Sequence, residues 1–423
     1  MGPASRTNAG VGSAPTVGLA DGVALRSEPF GAIAYVAERD DFFALDPAHA
    51  AVALRAAATG GVPVGPDAGR AARLAELGIC ATWPPTPQRP HLGRSLVGEF
   101  AGLPVPALPL VVNCFSTAHC PLRCGYCHAD DLMVPFRDGE GPGGLAAVAR
   151  TAALVPALVG VVTGGDPITR PERAAELVAR LSAHKRVVLD TSGVGDIGPL
   201  LPVLARHRVH VRVSLDSADR AVNDRARPAN RGYLPAGASA FDGAHETLRR
   251  LAEAGVPYGV QTVVGRHNDG IDHLLALRDH LLAIGVRHWV LHVAVAAGKA
   301  ARHRGVLPAG DVVERLRALV ADCAGTGAAL DVRITGTHRS PGSVLLVDPL
   351  GRLCVEGPDG AGKRVIWRPE DGGDRGTLAA RYRRHVDLGG HASRYLNGTL
   401  EPVPQPAATR AGGQAAAVSA MST

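Results

Sequence analysis

Between residues 109 and 300 the chain alternates short β-branched runs with longer stretches whose apolar residues recur every three or four positions, and this alternation narrows the possible folds more than any other feature. The runs LPLVVNCFST, VGVVTGG, KRVVLDTSG, VHVRVSLDS, VPYGVQTVVG and VRHWVLHVAV read as strands. The stretches GLAAVARTAALVP, RPERAAELVARLSAH, FDGAHETLRRLAEAG, IDHLLALRDHLLAIG and AGDVVERLRALVADCAG read as amphipathic helices punctuated by Gly or Pro. Strands separated by helices pair in parallel through right-handed crossovers. Six such units predict an α/β fold, a partial (β/α)6 barrel over 109–330, with ligands at the carboxyl ends of its strands.

Chemistry-bearing residues cluster at those strand ends. After the first strand comes Cys-Pro-Leu-Arg-Cys-Gly-Tyr-Cys, which spaces Cys120, Cys124 and Cys127 so that one tight loop can hold three corners of a metal cluster. A four-iron cubane bound by only three thiolates keeps one iron open to a ligand. A zinc site is the alternative, with His128 or Cys114 as a fourth ligand. The second strand ends in Gly164-Gly165-Asp166-Pro167, where glycines allow close approach of the backbone and Asp166 can cap the next helix. Ser192 follows the third strand, and Ser214 and Asp216 follow the fourth.

The cysteine spacing, with the aromatic Tyr126 before the last thiol, resembles the radical S-adenosylmethionine (radical SAM) enzymes. The resemblance implies one [4Fe–4S] cluster on Cys120, Cys124 and Cys127, whose open iron chelates SAM and cleaves it reductively to a 5′-deoxyadenosyl radical. GGDP is similar to the family's Gly-Gly-Glu-Pro motif, so Gly164, Gly165 and Asp166 are implied contacts of the SAM amino group, Asp166 being one methylene shorter than the family's glutamate. By the same resemblance Tyr126, Ser192, Ser214 and Asp216 contact the cofactor. Arg227 matches the second arginine of the family's Asp-Arg-x-Arg-Gly stretch, with Pro228 in place of the glycine, and Leu291 packs on adenine.

Residues 22–81 have a different character. A hairpin from Gly31 to Val36 and from Phe42 to Leu45 precedes a helix opened by Asp46 and Pro47 and a second amphipathic helix, AGRAARLAELG. This module resembles the PqqD-like winged-helix element of ribosomal peptide maturation, which implies that a precursor's leader peptide adds as a strand to the hairpin edge. A winged helix could instead bind DNA or pack on the barrel. The proline-rich segment 82–108 reads as a linker, and residues 1–21 and 399–423 as disordered.

Residues 331–398 form a short β extension, whose Asp-Pro-Leu-Gly-Arg-Leu-Cys resembles the start of the cysteine-rich SPASM region. Only Cys354 matches and no cysteine follows it, so the extension is degenerate and carries no second cluster. Cys354 reads either as a small buried residue or as a catalytic hydrogen-atom donor to a substrate radical, which would make the enzyme a peptide epimerase. Crosslinking is the other outcome.

Seven cysteines without paired spacing give no disulfide framework, and neither a signal pattern nor an apolar run of membrane-spanning length occurs. A cytoplasmic enzyme is therefore expected, with no membrane partner. A net charge of +6 spread over 45 basic and 39 acidic residues marks no nucleic-acid face. The resulting expectation is a radical SAM enzyme that abstracts hydrogen from a ribosomally made precursor peptide, held by its leader and supplied with electrons by a flavodoxin- or ferredoxin-type donor. The alternatives are a radical SAM enzyme of a small metabolite and a non-enzymatic zinc protein that binds DNA.

Overall fold

The computed structural model describes residues 16–396 apart from 61, 64, 84–95, 98–103, 134–141, 328, 336–341, 358–359 and 361. The tail 399–423, most of the first 21 residues and most of the segment 82–108 lie outside the described residues.

Seven strands run parallel in chain order: β1 (Val111–Thr117), β2 (Val159–Gly164), β3 (Arg186–Thr191), β4 (His210–Ser214), β5 (Tyr258–Val264), β6 (His288–Val293) and β7 (Asp331–Thr335). Beyond β1 the sheet continues through β8 (Leu345–Val347), parallel to β1, and the antiparallel β9 (Leu353–Glu356) and β10 (Lys363–Trp367). The ten strands lie in the order β7-β6-β5-β4-β3-β2-β1-β8-β9-β10, an open sheet in keeping with a partial barrel. The sequence pattern counts six parallel strands and leaves β7 to the C-terminal extension. In DVRIT only Val332 and Ile334 are apolar, alternating with Asp331, Arg333 and Thr335, so the run reads as half-exposed although Arg333 is buried.

Alternation along the strands sorts their side chains into two layers. Val112 and Cys114, Val187 and Leu189, Val211 and Val213, and Trp289 and Leu291 face the helices, packing with Leu177, Leu248 and Leu274. The intervening positions face the barrel interior, whose amino-terminal end is filled by Val111, Val159, Val161 and Val188.

That end is closed by the N-terminal module. Val23–Glu28, Gly31–Val36 and Asp41–Leu45 form an antiparallel meander, one strand more than the hairpin read from sequence. Ala32, Ala34, Phe43 and Leu45 face the helices Pro47–Thr59 and Ala68–Glu76, whereas Ile33, Tyr35, Phe42 and Ala44 pack against the barrel valines. Residues 16–19, expected to be disordered, instead form a strand paired with Cys80–Trp83, and Val17 is buried in the module core.

Candidate functional site

The cysteine loop leaves β1 and is fastened from both flanks by backbone. Gly165 N–H donates to the Thr117 carbonyl at 2.8 Å and Asp166 N–H to His119 O at 2.7 Å. A Cβ on Gly165 would lie 1.9 Å from His119 O, and one on Gly164 2.3 Å from Thr117 O. The glycines of GGDP thus admit close approach of the cysteine loop itself. On the other flank Arg123 N–H donates to Pro228 O at 2.8 Å, and Asn230 donates from its backbone to Pro121 O (2.7 Å) and from its side chain to Cys120 O (3.2 Å). Pro228 serves here through its carbonyl, which its ring leaves free.

Around this loop lies a cavity of about 250 Å³ lined by Cys120, Cys124 and Cys127 together with Gly165, Asp166 and Arg227. Tyr126, Ser192, Ser214 and Gln261 complete much of its wall. Asp166 is buried and accepts from Thr191 Oγ1 at 2.7 Å, Ser192 N at 2.9 Å, Ile168 N at 3.3 Å and the Ser192 hydroxyl. Burial raises its carboxyl pKa despite the hydrogen bonds from Ser192 and Thr191. With four donors on two oxygens, its local work is to lock the end of β2 to the end of β3.

Asp216 does not line the cavity; it holds groups that do. Arg227 donates to its two oxygens at 3.0 and 3.1 Å, the Tyr126 hydroxyl donates to Oδ2, and Val263 N–H donates to Oδ1 at 2.9 Å. Burial alone would raise this carboxyl, but Arg227 and His267 hold it far below the usual carboxylate range. Tyr126 is also stacked on His267, with centroids 5.6 Å apart and planes 14° off parallel, and Arg227 Cζ lies 5.6 Å from its ring centroid. The sequence reading made Asp216 a cofactor contact; the structure makes it the anchor of Tyr126 and Arg227.

Leu291 is placed elsewhere than the sequence suggested, and Cys354 takes the buried position that was one of its two readings. Leu291 is fully buried among the helix-facing residues, because the period of two turns Val290 and His292 inward and Leu291 outward. Cys354, on β9, packs with Phe115, Val344 and Leu346 and lines neither cavity. Its Sγ faces Asp348 Oδ2 (3.9 Å) and Arg352 O (3.7 Å), and burial pushes the thiol up to about 12. One layer, Phe115, Val344 and Leu346, lies between this thiol and the neighbouring cavity.

A second cavity of about 270 Å³ adjoins the first deeper in the barrel and shares Cys127, His128, Thr163, Asp190 and Gln261 with it. His128 bonds Glu356 at 2.6 Å and its carbonyl accepts from Lys363 Nζ at 2.9 Å. The floor is charged: Arg212 donates to Asp190 at 2.6 Å, and Arg333 donates at 3.0 Å to Asp40 of the N-terminal module. Sequence reasoning missed Asp190, Arg212 and Arg333 as site residues. For two of them a signal was there, since Arg212 stands between Val211 and Val213 and Arg333 between Val332 and Ile334, a charge set between apolar neighbours of a strand.

The donor set suits an iron cluster. Burial pushes all three thiols up, Cys127 to about 12, so whatever holds them as thiolates must bring compensating positive charge. A zinc ion would need a fourth ligand beside the three thiols, and neither candidate is free to supply it. His128 is engaged with Glu356, and Cys114 is sealed in the helix-facing core.

Residues 115–281 match the family model of the Radical SAM superfamily. The PqqA peptide cyclase of Streptomyces rochei is 35% identical over 161 residues, which cover 36% of this chain and 40% of that protein. That of Xanthomonas euvesicatoria pv. vesicatoria (strain 85-10) is 29% identical over 166 residues, 38% of this chain and 41% of the relative. The chain thus spans about two fifths of the length of these curated relatives. Among solved structures, Streptococcus suis SuiB bound to precursor peptide SuiA aligns with 76% of this chain and 73% of its own, at 15% identity and a TM-score of 0.49. No helix among the described residues is long and apolar enough to cross a membrane. Over residues 115–281 the chain is thus similar to the Radical SAM superfamily.

Proposed function

We propose that this protein is a radical SAM enzyme that modifies a ribosomally synthesised precursor peptide. The carrying observation is that three otherwise unassigned thiols share one cavity with the GGDP backbone and Arg227, at the carboxyl end of a parallel sheet. Cys120, Cys124 and Cys127 would hold the cluster, and Gly165, Ser214, Gln261 and Arg227 would line the SAM site. The bound pair supplies an electron and a hydrogen-abstracting group. The chain's own residues hold the loop in register, keep Arg227 and Tyr126 oriented through Asp216, and shield the second cavity, where the substrate would lie.

The peptide cyclase names of the relatives support a peptide substrate. Of epimerisation and crosslinking, the sealed position of Cys354 favours crosslinking, which needs no thiol to return a hydrogen atom but is a net oxidation: the adenosyl group takes one hydrogen atom, the new bond forms on the peptide radical, and the electron then left over passes to an oxidised flavodoxin- or ferredoxin-type partner as a proton is released. A leader peptide adding to the N-terminal sheet would use the end strand Val23–Glu28, because Asp41–Leu45 already pairs with Leu96–Val97. A flavodoxin- or ferredoxin-type donor would supply electrons.

Anaerobic reconstitution with iron and sulfide, followed by dithionite and SAM, should yield 5′-deoxyadenosine in the native chain and none in Cys124→Ala. Bound zinc, iron below about one atom per chain and no SAM cleavage would overturn the reading.

A further inference from the structure

The floor of the second cavity carries more hydrogen-bond donors than the protein satisfies. Arg333 Nε, Arg394 Nε and Thr335 Oγ1 are buried with no partner among the described residues, and all three side chains line this cavity. Arg333 and Thr335 are 7% and 5% exposed. Burying a guanidinium nitrogen or hydroxyl unpaired is costly, so such groups normally have a partner. The charge is also unbalanced: Arg212, Arg333 and Arg394 line the space, Asp190 is the acid among the lining residues, and Asp40 lies behind Arg333. His292, on the same wall, is held neutral by burial and by these three arginines, so it adds a polar surface without opposing charge.

Resting on the peptide reading above, we propose that this cavity is a carboxylate-binding subsite for the substrate, formed by Arg333, Arg394 and Thr335. A guanidinium presents planar N–H donors that match a carboxylate, and an alcohol adds a third donor beside them. The subsite would hold an acidic side chain or a chain terminus, and it would position the residue next to it against the wall shared with Cys127 and Gln261.

The test uses the full chain, reconstituted anaerobically and saturated with SAM so that the cofactor's own carboxylate is already placed. Three probes are titrated and followed by calorimetry and thermal shift: N-acetyl-glutamate α-amide (side-chain carboxylate), N-acetyl-glutamine (terminal carboxylate) and N-acetyl-glutaminamide (neither). Saturable binding of one or both carboxylates, absent for the neutral probe and weakened by about tenfold or more in Arg394→Gln, is the expected result, and the better binder identifies the source. Arg333→Lys, which keeps the charge facing Asp40, should weaken binding while retaining the fold. Arg249→Gln, on an exposed helix, should bind as the native chain does. Equal binding of the neutral probe, or unchanged binding in both cavity variants, overturns the subsite. Failure of the native chain to form 5′-deoxyadenosine would sink the enzyme reading alone, since carboxylate binding is read without turnover.

Discussion

Two buried acid–arginine clusters brace this molecule, one at each end of the barrel interior. At the cysteine end Asp216 and Arg227 lie eleven residues apart in the chain, and the acid also holds Tyr126 and a backbone N–H of β5. At the other end Asp40 comes from the N-terminal module and meets Arg333 at 3.0 Å, Arg212 at 3.6 Å and the Tyr35 hydroxyl at 2.9 Å. Burial opposes both charges; the arginines prevail at each, bringing the Asp40 carboxyl down to about 2. Asp40 moreover sits in the left-handed region at φ 48°, which Asp tolerates better than most residues. The first cluster shapes the rim of the cysteine cavity from residues close in the chain. The second ties the N-terminal meander to strands β4 and β7, so that the meander forms the barrel's floor.

The sharpest way to break this comparison is to remove each acid. Asp40→Ala leaves two arginines facing each other in the interior and should cost about 3–5 kcal/mol, read as a lower urea midpoint. Asp216→Ala should be distinguished by function: the rim loosens, and iron retention and 5′-deoxyadenosine yield fall in the molecules that remain folded. Equal functional loss in both would show that the clusters are not separate devices.

Acid should reveal the seam next. His210 donates from Nδ1 to Ala37 O across the module boundary (2.9 Å), and His391 lies between Leu110 N and Ser343 O; burial first of all brings each down to about 4. A folded pKa below the unfolded value means the unfolded chain binds more protons between about pH 6.5 and 4, so stability falls as pH drops through that window, by up to about 3 kcal/mol per histidine. Asp40 adds a second loss lower down, because its depressed carboxyl stabilises above about pH 4 and is protonated as pH falls towards 2. Urea midpoints measured from pH 7 to 4 should decline, and His391→Gln should flatten the slope. A flat native profile would remove the buried-histidine explanation.

At the cysteine end, Gly165→Ala sets a methyl against the His119 carbonyl, a backbone atom that must shift. A stability loss of about 1–3 kcal/mol is expected, with a larger loss of bound iron. Iron retention at the native level would show that the loop does not depend on the GGDP contact.

The difference between the ends also separates what the sequence made legible from what it hid. Alternation disclosed strands and helices, and the Cys120 loop and GGDP stood out because both sit at strand ends and carry residues that propensity alone does not favour. Leu291 was misplaced because strand position was read without asking which face it occupies. Arg212 and Arg333 were passed over because a charge within a strand reads as a solvent-facing position until its partner is known. That partner, Asp40, lies 293 residues before Arg333, and no local pattern connects them.

Cys354 supplies the smallest and most discriminating test. Its side chain sits behind Phe115 and Leu346, which themselves line the second cavity, so one layer of side chains separates thiol from substrate space. Removing one sulfur from this packed cluster should cost only about 1 kcal/mol. Peptide product formed by Cys354→Ala in deuterated buffer should match that of the native chain in mass and configuration. If SAM cleavage continues while product formation stops, the layer must open during turnover, the thiol is a hydrogen donor, and epimerisation replaces crosslinking as the outcome. The cysteine end would then be the rigid part of the site, and the wall around the second cavity the part that moves.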